Sequence, residues 1–127
     1  MSQAGGSSGG GVTPGDEGFK WNVVTAASVQ AKIHNGYIVN NAGTCVITLP
    51  AVSKPGDGIA VVGMNNATGW KIAQNAGNQI RFNSLSTTAG VGGYLQSTVT
   101  ANAVNLLCIT ANAIWTVIDN EGNLTVV

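Results

Sequence analysis

The sequence predicts an all-β domain of short antiparallel strands in a sandwich or jelly-roll-like arrangement. Three observations carry that expectation. Short apolar runs rich in Val, Ile, Thr and aromatics are separated by Gly, Asn, Asp and Pro. Several of these runs alternate apolar and polar residues with a period of two. No segment sustains a 3.6-residue apolar period between helix caps.

Residues 1–18, "MSQAGGSSGGGVTPGDEG", read as a Gly/Ser-rich arm, and 19–127 as the β-domain. Such a composition makes a flexible linker, and here a candidate connector between subunits, with Val12 as its apolar contact. Strands are then expected at Lys20–Thr25, Val29–His34, Tyr37–Asn40, Cys45–Leu49 and Gly58–Met64. Further strands are expected at Trp70–Gln74, Gln79–Phe82, Tyr94–Thr98, Val104–Thr110, Ile114–Asp119 and Leu124–Val127. Ala26–Ile33 could instead make a helical turn. Asn35-Gly36 is a hairpin-turn dipeptide. Lys54-Pro55-Gly56-Asp57-Gly58 is a second turn, its Pro and Gly placed to set the dihedrals.

The stretch "GWKIAQNAGNQIRF", Gly69 to Phe82, concentrates Trp, Lys and Arg around a cluster of amides. Trp70 and Ile72 share one face and Lys71 and Ala73 the other; Ile80 and Phe82 oppose Arg81. With Asn75-Ala76-Gly77-Asn78 as turn material, the simplest expectation is a hairpin, apolar side chains inward and amides in the turn.

Elsewhere the alternation fails. "GIAVVGM", "AVNLLCIT" and "AIWTVID" are apolar on both faces, which predicts burial on both faces. A small sheet in a lone monomer offers no obvious cover for a second face. Leu107, Ile109, Trp115 and Val117 are therefore candidate subunit-interface residues, and self-association is expected.

Composition points the same way. Only 8% of residues are charged and the formal net charge is zero, against roughly 25% charged in an ordinary domain. A monomer so poor in charge would be weakly soluble. Five Lys and Arg residues, dispersed along the chain, form no basic stripe, which argues against nucleic acid. The start carries no basic and apolar signal-peptide regions. No apolar run approaches the roughly 18 residues that span a bilayer. Cys45 and Cys108 sit in apolar runs and read as buried thiols, although sequence leaves their pairing open.

No catalytic constellation is evident, and no enzyme activity is expected. His34, the one histidine, lies beside a turn as a solvated strand-end residue. Neither a metal-ligand spacing nor a phosphate loop is present, so no cofactor is expected. Trp70 and Trp115 alternate with aliphatics and read as core. Trp21, near the arm, and Tyr94, closing the Ser/Thr/Gly-rich run Asn83–Thr98, are the candidate receptor or glycan contacts. That run and the 65–69 turn are the candidate binding loops.

In order along the chain come "GYIVNNAGTCVITLP", "GDGIAVVG", "GWKIAQNAGNQIRF", "STTAGVGGYLQST", "AVNLLCITAN" and "WTVIDNEGNLTVV". Over about residues 19 to 127 this series resembles a β-domain found at the C-terminal end of phage tail-fibre-like, collagen-like and other long bacterial surface proteins. The resemblance implies a terminal knob or stalk module, often trimeric. It implies a structural, self-assembling part of an extracellular or virion fibre, with its own kind as partner. A receptor- or glycan-binding knob is the alternative. Here a short arm stands in place of a long stalk.

Overall fold

The computed structural model describes residues 18–64 and 69–127. The arm up to residue 17, with Val12, and positions 65–68 of the 65–69 turn lie outside the described residues. The described residues form strands and turns and no helix. The strands are β1 (Lys20–Val24), β2 (Ser28–Gln30), β3 (Asn35–Val39), β4 (Cys45–Thr48), β5 (Gly58–Gly63) and β6 (Trp70–Ala73). They continue as β7 (Gln79–Phe82), β8 (Leu85–Ser86), β9 (Tyr94–Ser97), β10 (Ala103–Thr110), β11 (Ile114–Glu121) and β12 (Leu124–Val126). A 7-stranded sheet has the order β1-β3-β5-β10-β11-β7-β8, and a 5-stranded sheet the order β12-β9-β6-β4-β2.

From β1 to β7 each strand lies in the opposite sheet from the one before it. β1, β3 and β5 run parallel side by side, as do β2, β4 and β6. Parallel neighbours need a crossover connection. In this chain the crossover is a strand of the other sheet, so the first half winds as a flattened coil with two strands per turn. The second half then closes it. β10 pairs antiparallel with both β5 and β11, while β9 lies antiparallel between β6 and β12.

The alternation of side chains places one face of each sheet in a shared core. Val39, Ile59, Val61, Leu106 and Trp115 enter it from the larger sheet, and Cys45, Ile47, Trp70, Ile72 and Leu95 from the smaller. Each such side chain contributes roughly 1.5–3 kcal/mol by leaving water.

The sheets are therefore mixed, where the sequence suggested antiparallel pairing. The expected hairpin across Gly69–Phe82 is not formed: β6 belongs to the smaller sheet and β7 to the larger. The same alternation serves an arch between two sheets, because Trp70, Ile72 and Ile80 all still point into the core. Asn35-Gly36 is not a turn but the start of β3, and the turn falls at Ile33-His34. His34 adopts the left-handed φ of 65° that this turn needs. No helical turn forms across Ala26–Ile33, where β2 pairs with β4 instead. The run Asn83–Thr98 contains the two-residue β8, paired with β7.

Two turns follow their residues. The Asp57 N–H reaches the Lys54 carbonyl at 3.0 Å around Pro55 and a Gly56 with φ 99°. The Asn78 N–H reaches the Asn75 carbonyl at 3.0 Å around Ala76 and a Gly77 with φ 85°. Both fit a type II turn, in which the third residue must take positive φ.

Candidate assembly surface

The amides of the Gly69–Phe82 stretch serve the fold. Gln74, buried, donates from Nε2 to the carbonyls of Asn78 (3.0 Å), Thr88 (2.9 Å) and Gly90 (2.8 Å). Its Oε1 accepts the Thr87 hydroxyl, whose oxygen also accepts the Ile80 N–H at 2.9 Å. Asn78 Oδ1 accepts the Asn75 N–H at 2.9 Å, and Asn78 Nδ2 donates to the Asn112 carbonyl at 3.2 Å. An arch between sheets has no ladder partner for its backbone, so side-chain amides satisfy it. These groups are internally satisfied and offer little to a ligand.

The outer face of the larger sheet is different. β1 turns Trp21 and Val23 outward while Val24 enters the core. Strand register then extends one row across the face: Val23 beside Ile38, Ile38 beside Val62, Val62 beside Ala103. Val23 is 63% exposed, and the other three are half-buried. The next row runs Trp21, Gly36, Ala60, Asn105 and Asp119. A Cβ on Gly36 would meet the Trp21 and Phe19 rings, and these two rings meet edge-on at 5.5 Å. Glycine there lets Trp21 lie across its neighbour, yet the indole stays 43% exposed.

Of the candidate interface residues, Leu107 and Ile109 lie on this outer face, opposite the inward Val104, Leu106 and Cys108, and are half-buried. Trp115 and Val117 do not. Trp115 is fully enclosed in the chain's own core, and Val117 packs against that core. A β-bulge between Asn105 and Leu106 in the β10–β11 pairing shifts the register there, and Ile118 is left 51% exposed. β5 corrects the premise too: Ile59, Ala60 and Val61 are all buried within one chain. On the outer face Ala60 sits between Gly36 and Asn105, where a methyl group is low enough to be covered by taller neighbours.

Trp21 and Tyr94, the candidate receptor contacts, are not brought together. They lie on different sheets, and Leu95 beside Tyr94 points into the core. The Lys71 ammonium sits 3.9 Å from the Tyr94 ring centroid. That cation–π contact covers one face of the ring, leaving less for stacking on a sugar.

His34 is 26% exposed rather than freely solvated, and its Nε2 lies 3.3 Å from Asp57 Oδ1. Asp57 Oδ2 accepts the Lys54 N–H at 2.9 Å, so this carboxylate braces the turn before β5. Sequence reasoning missed the pair because the residues are distant in the chain. Among the described residues, neither is hydrogen-bonded to a hydroxyl or thiol. Cys45 and Cys108 are free and buried, and Cys108 Sγ lies 3.3 Å from Ser53 Oγ. Burial pushes the Cys45 thiol up from its ordinary range. Burial raises Tyr37 as well, partly offset by the Lys32 N–H donated to its hydroxyl at 2.7 Å. No group of three potential metal ligands occurs among the described residues.

At the β1 end of the molecule a groove of about 590 Å³ opens between β1 and β2. Lys20, Asn22, Ser28, Gln30 and Lys32 line it, with Tyr37 behind. It holds two lysines and no acid.

No protein-family model matches the chain, and no curated protein is significantly similar to it in sequence.

Proposed function

We propose that this protein is a structural, non-enzymatic module that assembles with its own kind into a fibre or filament of a virion or cell surface. The observation that carries the reading is the apolar row Val23–Ile38–Val62–Ala103 on the outer face of the larger sheet. The row begins at an exposed valine and continues half-buried across the sheet face, beside the exposed Trp21, which is apolar surface a second copy can cover. The low charge of the chain supports the reading, since a mostly neutral surface does not oppose contact between copies. The resemblance to fibre-terminal domains supports it further.

The test is the mass of the purified protein by light scattering across a range of concentration, with negative-stain images of the same sample. Wild-type protein is expected to hold several copies. Val62→Lys keeps its backbone ladder and places an ammonium in the middle of the row. It is expected to lower the mass at least two-fold with secondary structure retained. A wild-type monomer at every concentration overturns the reading.

A further inference from the structure

We propose that the open edge of β1 pairs antiparallel with β1 of a second copy about a two-fold axis through Asn22, a contact that rests on the self-assembly reading and deepens it. The backbone geometry supplies the first argument. The Lys20 N–H bonds the His34 carbonyl at 3.0 Å, and the Val24 carbonyl accepts the Asn40 N–H at 2.8 Å. In a parallel ladder, alternate residues of a strand turn their N–H and C=O to the same neighbour. Lys20, Asn22 and Val24 therefore serve β3. Trp21 and Val23 aim their N–H and C=O groups at the open edge.

An antiparallel register centred on Asn22 sets Trp21 opposite Val23 of the second copy. Both residues carry backbone groups without a partner among the described residues, so each such pair exchanges two hydrogen bonds, and the two-fold doubles the number. Both also point to the outer face. There they form an aromatic–β-branched cross-strand pair, a favourable combination. Lys20 comes opposite Val24, so the lysines are not opposed.

The other edges are poorer templates. β8 has two residues and β2 and β12 three each, whereas β1 has five, with neither Pro nor bulge and a single Lys at its first position. Natural edge strands are blunted by such devices.

Charge complementarity supplies the second argument. Asp16 and Glu17 are the acids nearest β1 in the sequence, and the groove between β1 and β2 carries Lys20 and Lys32 and no acid.

Val23→Pro in the full-length chain is the test. Proline removes an N–H that points away from β3, so the intrachain ladder is untouched, and edge strands accept proline at such positions. Wild-type protein is expected to contain an even number of copies. Val23→Pro is expected to halve its mass while leaving the thermal midpoint within a few degrees. A mixture of Trp21→Cys and Val23→Cys chains is expected to form an interchain disulfide on oxidation. Unchanged mass in Val23→Pro, together with no mixed disulfide, overturns the β1 contact and leaves the self-assembly reading standing. So does a trimer, whose edges cannot all pair two by two. A monomeric wild type overturns both.

Discussion

Gln74 shows how much a single buried amide does in this molecule. Its Nε2 caps three carbonyls of the loops around β7 and β8, and its Oε1 holds Thr87. Deleting it strands several buried polar groups, each costing about 1–3 kcal/mol when left unsatisfied. Gln74→Ala is expected to destabilise the fold by about 3 kcal/mol, read from the urea midpoint at constant m-value. Loss below about 1 kcal/mol would mean that water replaces the amide freely. From sequence, Gln74 was only the last residue of the expected strand Trp70–Gln74. Nothing in the spacing of "AQNAGN" distinguishes an amide that meets water from one that meets three distant carbonyls. The same blindness hid His34 beside Asp57. In contrast, Trp70 was legible as core, because alternation with aliphatics states which way a side chain points; Trp115 read both as core and as interface, since its strand is apolar on both faces.

At the scale of elements, strands were legible and their partners were not. Alternation locates strands at Trp70–Gln74 and Gln79–Phe82 and turns Trp70, Ile72 and Ile80 inward, as they stand in the structure, whereas Phe82, assigned with Ile80, is half-buried and outside the core cluster. It does not say whether consecutive strands pair with each other or face each other across the core. A two-residue turn can close a hairpin or carry an arch. Here the arch is selected by what lies beyond it: β4 and β9 flank β6, while β11 and β8 flank β7. β8 went unseen because Leu85-Ser86 is too short for any period to register. The arch turn itself allows a clean measurement. Gly77 has φ 85° and nothing within 4 Å of an added Cβ, so only its dihedral opposes substitution. Gly77→Ala is expected to cost about 1 kcal/mol in denaturant unfolding, the penalty of a left-handed alanine, and Gly77→Asn distinctly less. Equal stability of the three proteins would show that the turn relaxes to another type.

For the whole molecule, the all-β class followed from composition and periodicity, whereas the coil did not. A coil of this kind appears only in the register between strands far apart in the chain. Of the candidate interface residues, Leu107 and Ile109 face outward, whereas Trp115 and Val117 turn inward because β10 and β11 build the chain's own core. Burial also sets a pH limit on the folded state. Cys45 and Tyr37 keep their protons to higher pH in the native protein than in the unfolded chain. As pH rises past the unfolded thiol's range near 8.5, the unfolded state binds fewer protons, and stability falls. The urea midpoint is expected to decline between pH 8.5 and 10.5, and less steeply in Cys45→Ala. A flat midpoint across that interval would contradict it.

The strand order also decides how the domain bears load. β1 stands at one end of the larger sheet, and β12 at the opposite end of the smaller one. Tension applied between Phe19 and Val127 is therefore directed across the strands, along the hydrogen bonds that join them. Rungs arranged in this way open one after another, as a zipper does, while strands pulled lengthwise must break all their bonds together. The domain is expected to yield gradually when stretched end to end, and a neighbour clamped along the β1 edge would stiffen the place where the tearing begins.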